Sequence, residues 1–425
     1  MPALSTADAT EAARLIARGD ASSEGVVGAC LERIAERDAT VRAWAHLDPE
    51  AALAQARAAD ASDRRSPLHG VPVGVKDIID TRDLPTEFGS PIHTGRRPAA
   101  DAACVARLRD AGAVILGKTM TTEFAYFHPA ETRNPLDPGR TPGGSSSGSA
   151  AAVADGMVPL ALGSQTAGST IRPASFCGVL GLKPTHGLID LTGVKRLSAR
   201  LDTLGLFARS IDDIELLLGT LTGQRRAAPE SAPGPPRIAF ARTARWELVE
   251  PDARAALEAA ALALADAGTR VDELELPAEL EALVGAQQTI MAVDVAANFA
   301  DEYDSHGDSI SAELSELIEQ GRATESGDYE AALDDAKRGA KRLPAVFEAH
   351  DILLTPAARG QAPRGLDATG DPVFCRAWTL LGTPAISVPG PLGADGLPIG
   401  VQLVAPPGRD AELVAAARWV RQALA

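Results

Sequence analysis

Aromatic residues are scarce in this 425-residue chain, with four Trp, three Tyr and nine Phe making up 4% of it. So few rings leave little for bases to stack on, which argues against a single-stranded nucleic-acid platform. Positive charge is also in short supply: 41 Lys and Arg stand against 57 Asp and Glu, a formal net charge of −16. Broad phosphate-backbone binding needs clustered Lys and Arg, so it is disfavoured. A small anion held by one or two basic residues stays open. The four cysteines, Cys30, Cys104, Cys177 and Cys375, form no CxxC pair. That scatter fits neither a disulfide framework nor a zinc site. The seven histidines are scattered too, without an HExxH motif. There is no run of 18 apolar residues, and the first 20 residues are amphipathic and of mixed charge. Neither a membrane span nor a secretory leader is expected. The class-level expectation is a reduced, cytoplasmic enzyme with no metal, no cofactor, no nucleic-acid partner and no membrane partner.

What is present is apolar and periodic. Hydrophobic residues make up 45% of the chain, enough for a sizeable core. The first 60 residues read as helices. One, over Thr6–Arg18, is closed by Gly19; a second is capped by Ser22 or Ser23; a third, Ala-rich, opens at Asp48-Pro49. Val71, Val73 and Val75 then alternate with Pro72, Gly74 and Lys76, a period-two strand signal. Residues 100–111 read as a helix and Ala113–Leu116 as a buried strand. Val158–Leu162, Ile238–Ala241, Thr269–Leu274, Asp351–Thr355, Ala385–Val388 and Ile399–Leu403 read as further strands. Long helices run to about residue 349, and a last one begins near Asp410. Strands alternating with helices indicate an α/β fold with a largely internal sheet. The length prior of about 150 residues per domain gives two to three domains. The Pro-rich stretch 223–236 reads as a linker or surface excursion.

Two small-residue loops need a reason: Gly143-Gly144-Ser145-Ser146-Ser147-Gly148-Ser149 and Gly163-Ser164-Gln165-Thr166-Ala167-Gly168-Ser169. Small side chains let backbone N–H groups face a ligand. The first loop lacks the Gly-Lys-Ser/Thr ending of a P-loop and the GxGxxG spacing, which weighs against nucleotide binding. The other reading is nucleophilic catalysis, in which convergent N–H groups stabilise an oxyanion by roughly 3–4 kcal/mol per key donor. No GxSxG elbow is present. His69, beside Gly70, is better read as structural than as a base. A serine–lysine mechanism needs a neutral lysine; lowering a pKa near 10.4 to about 7 costs roughly 4–5 kcal/mol and requires burial. Lys76, Lys118 and Lys183 all lie in apolar, Gly-flanked settings, and this reasoning does not choose among them.

The stretches GVPVGVKD (70–77), GGSSSGS (143–149) and GSQTAGSTIRPASFCGVLGLKPT (163–185) together resemble the amidase signature family, in order and in spacing. The resemblance runs over nearly the whole chain, through Thr383-Pro384-Ala385 and Gly396-Leu397-Pro398-Ile399-Gly400. It implies a single large α/β domain over residues 1–425, a mixed sheet sandwiched by helices, with 223–236 as a surface excursion. It implies a Ser–cis-Ser–Lys triad: Ser169 as nucleophile, Ser145 as a bridge preceded by a cis peptide bond, and Lys76 as the proton relay. The backbone N–H groups of Thr166, Ala167, Gly168 and Ser169 would form the oxyanion hole. Ser146, Ser147, Ser149 and Ser164 would be structural, as would Cys177 and Lys183.

One loop departs from the common family pattern. Many members have Asp where Gln165 stands, Gly-Gly at Ala167-Gly168, and an arginine two residues after the nucleophile; here Ile171 holds that place and Arg172 follows. This version is similar to malonamidase-type enzymes, in which the arginine binds the substrate carboxylate. The other reading of Arg172 is a brace paired with an internal Asp or Glu. The expected activity is hydrolysis of a small carboxamide through an acyl-enzyme, with a substrate such as malonamate. The alternatives are the amide-transferring subunit of a tRNA-dependent amidotransferase, an amidase of aryl, aliphatic or biuret/allophanate specificity, and a non-catalytic binding protein. A homodimer is the fold-level expectation.

Overall fold

The computed structural model describes residues 4–223 and 234–424. The ten residues 224–233 of the Pro-rich stretch lie outside the described residues. On their near side Gly223, at φ 72°, closes the helix Ile211–Thr222.

A mixed sheet of eleven strands runs through the molecule. In chain order these are β1 (Trp44–Leu47), β2 (Pro72–Lys76), β3 (Val114–Thr119), β4 (Leu160–Gln165), β5 (Leu180–Lys183), β6 (Thr203–Ala208), β7 (Ile238–Arg242), β8 (Val271–Glu275), β9 (Ile352–Pro356), β10 (Ala385–Leu392) and β11 (Pro398–Val404). Across the sheet they are ordered β1-β3-β2-β4-β6-β5-β10-β11-β9-β7-β8. The trio β3-β2-β4 is parallel, and so is β9-β7-β8. The strands between the trios are antiparallel. Helices cover both faces, the expected α/β arrangement. Val73, Val75, Ile115, Leu160 and Leu162 point into one core. Val114, Leu116 and Ala161 point into the other, beneath the helices Ser23–Val41 and Ser147–Ala154.

The strands around the site are buried on both faces. β3 and β4 therefore read as apolar runs, while β2 keeps a period of two because its valines alternate with Pro72, Gly74 and Lys76. Where pattern does mark an element, its ends are chemical. Ser22 caps Ser23–Val41 by accepting from Gly25 N–H, and Asp48 caps Pro49–Asp60 by accepting from Ala51 N–H. Pattern misses β1, β5, β6 and the helices Ile211–Thr222 and Ile171–Cys177. The last is short and has Pro173 in its first turn, where the missing N–H costs no helical bond. The two small-residue loops are also shorter than the sequence suggests. The helix expected from Ala150 starts at Ser147. Gly163, Ser164 and Gln165 belong to β4, paired with Gly205, Leu204 and Thr203.

β6 can lie this close to the turn after β4 only because residue 205 has no side chain: a Cβ there would sit 2.1 Å from Thr170 Oγ1. That hydroxyl in turn donates to the Ser164 carbonyl at 3.2 Å. Overpacking of this kind costs about 1–3 kcal/mol. Gly205→Ala is expected to lower the unfolding free energy by that amount, read as a lower urea midpoint at an unchanged m-value; a midpoint equal to wild type would contradict the packing described.

Candidate active site

The carboxyl ends of the parallel strands β2 and β4 lie side by side, the usual position of a site in such sheets. Lys76, the last residue of β2, is fully buried. Its Nζ lies within hydrogen-bond distance of Ser145 Oγ at 2.7 Å, Ser164 Oγ at 2.8 Å and Ser146 Oγ at 3.2 Å. No carboxylate lies within ion-pair range of it among the described residues. Burial holds its amine well below the ordinary ammonium range, and the nearby Asp202 pulls weakly the other way.

The choice among three lysines is made by register. Between Val73 and Gly74 the β2–β3 pairing slips by one residue, so that Gly117 faces Gly74 and Lys118 faces Val75. A one-residue slip turns the following side chains to the opposite face. Lys118 therefore points away from Lys76, to Thr86 Oγ1, the Ile79 carbonyl and Asp77. Lys183 ends β5, and its Nζ donates to the Pro184 carbonyl. Burial lowers it to about 7, so a depressed pKa alone would not separate it from Lys76. Contact with the serines does.

The Gly144–Ser145 peptide bond is cis. Ser145 and Ser169 line one small cleft that encloses about 300 Å³ of empty space, open solvent at its mouth included. Tyr126, Phe127, Leu197, Met291 and Pro372 form its apolar wall. Ser169 Oγ has no hydrogen-bond partner among the described residues, so the Lys76–Ser145 link is formed and the Ser145–Ser169 link is not. Catalytic hydrogen bonds are often long in unliganded enzymes and tighten with substrate. The two loops are tied through the backbone, Ser146 N–H donating to the Ser169 carbonyl at 3.4 Å.

Arg172 lines the same cleft and is buried. Its Nη2 donates to the Gly144 carbonyl at 2.8 Å and to Thr369 Oγ1 at 3.2 Å. It pairs with no Asp or Glu among the described residues, and its Nε and Nη1 have no hydrogen-bond partner there. Burial lowers it to about 10, so it remains a cation near neutral pH. Its bracing is real, but goes through carbonyl and hydroxyl oxygens and uses one of its three nitrogens.

The other sequence candidates have structural duties. His69 Nε2 bonds the Ala59 carbonyl at 3.0 Å. The Cys177 thiol is buried, faces the Pro142 carbonyl, and is pushed well up by burial. Ser149 bonds the Leu162 carbonyl. Ser146 and Ser164, expected to be structural, both touch Lys76. Sequence reasoning missed Asp202, Gln287 and Thr379. Thr166 Oγ1 donates to Asp202 Oδ1 at 2.6 Å, and burial pushes that carboxyl up to about 6. Gln165, in the place of the common Asp, accepts from Thr170 and Ile171 N–H and donates to Thr379 Oγ1. An Asp could make only the first two of these bonds.

Residues 25–414 match the Amidase family. The chain is a member of the amidase signature family. It is an amidase-type hydrolase. A glutamyl-tRNA(Gln) amidotransferase subunit of Chloroflexus aggregans is 36% identical to it, over 94% of this chain and 92% of the relative. The native peptide amidase of Stenotrophomonas maltophilia superposes with a TM-score of 0.82 at 30% identity, over 98% and 96% of the two chains. A chain from a vestigial protein complex bearing on the origins of an s-triazine catabolic enzyme superposes with a TM-score of 0.89 at 30% identity, over 98% of each.

A buried lysine that must be neutral to accept a proton gives a rate that rises with pH through its titration. Ser164→Asp would set a carboxylate against Nζ and favour the ammonium. The rising limb of the kcat/KM profile is then expected to move to higher pH by about one unit or more. A limb that stays in place or moves to lower pH would contradict Lys76 as the base.

Proposed function

We propose that the enzyme hydrolyses a short carboxamide that carries a carboxylate, as malonamate does, through an acyl-enzyme on Ser169. Ser169 Oγ attacks the amide carbon and passes its proton through Ser145 to Lys76. The tetrahedral oxyanion rests on the N–H groups of the 166–169 turn. Lys76 returns the proton through Ser145 to the departing nitrogen, the C–N bond breaks, and ammonia leaves. Water then attacks the ester by the reverse proton route and releases the acid. The observation that carries the substrate class is Arg172: a buried cation in the cleft of Ser145 and Ser169, paired with no carboxylate among the described residues and holding two unused donors. A guanidinium with spare donors suits a carboxylate. The cleft's size suits a short acyl chain.

A second reading is the amide-transferring subunit of a tRNA-dependent amidotransferase, favoured by the 36% identity to such a subunit. It requires glutamine as amide donor and partner subunits. The first reading requires neither, because the anchoring cation and the nucleophile line one cleft of a single chain. Ammonia release by the isolated protein across malonamate, aliphatic and aryl amides, biuret and allophanate separates the two. Activity only with glutamine and added subunits would favour the second.

Ser169→Ala is expected to abolish turnover and the acyl adduct seen by mass spectrometry; retained turnover would remove Ser169 as nucleophile. Arg172→Leu is expected to cost the carboxylate-bearing amide about a hundredfold in kcat/KM, the scale of a lost charge-assisted contact of 2–3 kcal/mol. A neutral amide should lose much less. Equal losses for the two would reduce Arg172 to a brace.

A further inference from the structure

Three successive peptide groups in the turn before Ser169 are each held from behind. The Thr166 carbonyl accepts from Gln287 Nε2 at 3.0 Å. The Ala167 carbonyl accepts from Thr379 Oγ1 at 2.8 Å. The Gly168 carbonyl accepts from Arg172 N–H at 3.0 Å. In a trans peptide the C=O and the following N–H point in opposite directions. Tying the three carbonyls therefore aims the N–H groups of Ala167, Gly168 and Ser169 the other way. None of the three has an acceptor among the described residues, and all three residues line the cleft.

We propose that Gln287 and Arg376 are positioning residues of the oxyanion hole, which hold and polarise the Thr166–Ala167 peptide from outside the cleft. The proposal rests on Ser169 being the nucleophile. Gln287 is fully buried in the helix Leu283–Asn298. Its Oε1 accepts from Arg376 Nη1 at 2.5 Å. Arginine offers only donors and a carbonyl only accepts, so this amide has one orientation that satisfies both ends. Arg376 is itself buried and pairs with no Asp or Glu within ion-pair range among the described residues. Its charge therefore acts through the chain guanidinium, carboxamide, peptide, ending at Ala167 N–H. Hydrogen bonds in series strengthen one another in a low-dielectric interior. Thr379, held by Gln165, fixes the next peptide in the same way but with neutral groups.

The probe is 4-nitrophenyl acetate, small, neutral and activated, whose acyl transfer needs the nucleophile and the oxyanion hole but no carboxylate anchor. Gln287→Glu keeps the shape and the Arg376 contact but turns an acceptor toward the Thr166 carbonyl; Gln287→Leu removes both contacts. Loss of a whole oxyanion donor costs about 10²–10³ in kcat. A misaimed one should cost ten- to a hundredfold in both variants, with KM within about twofold. Arg376→Met should lower kcat in the same direction by less. Mass spectrometry of the trapped acetyl-enzyme should find the label on Ser169 in wild type and in all variants, and thermal unfolding reports whether each is folded. Should Gln287→Leu fail to fold, the isosteric Gln287→Glu decides. A kcat within twofold of wild type in the folded variants overturns the proposal. So does a rise in KM at constant kcat, which would make Gln287 a substrate contact. A wild-type label elsewhere than Ser169 would instead overturn the nucleophile assignment on which the proposal stands.

Discussion

Lys76 ends a fully buried strand, and its amine has three hydroxyl oxygens and, among the described residues, no carboxylate for company. Burial in such surroundings disfavours the ammonium, because hydroxyl dipoles repay only part of the lost hydration. Much of the site depends on that condition. Ser164 must be presented by β4, Ser146 and Ser145 by the loop that crosses over it, and the parallel pairing of β2 with β4 must bring both to the same place. The small residues of both loops follow from the same crowding: a Cβ at Gly163 would lie 2.7 Å from Ser146 Oγ.

Charge in the site is divided by function. Burial disfavours the charged form of Lys76, while two arginines, Arg172 and Arg376, lie buried without a carboxylate within ion-pair range among the described residues. Each is bonded instead to neutral oxygens, the Gly144 carbonyl and the Gln287 carboxamide. In a protein with a formal charge of −16, the bulk field is unfavourable to an anion, so the carboxylate binding proposed for Arg172 has to be local and short-ranged. Of the two guanidiniums only Arg172 lines the cleft of Ser145 and Ser169; Arg376 lies behind the turn, bonded to Gln287. Gln165 belongs to the same division of charge, since an Asp there would add a negative group beside the turn and lose the bond to Thr379.

Much of the fold was legible because its elements carry local signals. The caps at Ser22 and Asp48, the closing Gly19 and the valines of β2 are read directly from side-chain chemistry. β6 and the helix Ile171–Cys177 were not. One is buried on both faces and lacks a period, and the other is too short to establish one. The candidate triad was legible only by resemblance. Burial marks Lys183 as much as Lys76, and Lys118 carries a similar apolar context.

The sequence by itself determined which residues could do the chemistry: a lysine after an apolar run, and two serine loops lined with glycine. It offers no CxxC or HExxH motif beside them. Only the tertiary structure decided which lysine meets the serines, because a single slip in the β2–β3 register sends Lys76 and Lys118 to opposite faces. Only it brought Gln287, Thr379 and Arg376 behind a turn more than a hundred residues earlier in the chain. Register and long-range packing are properties of paired elements, and no local pattern of residues contains them.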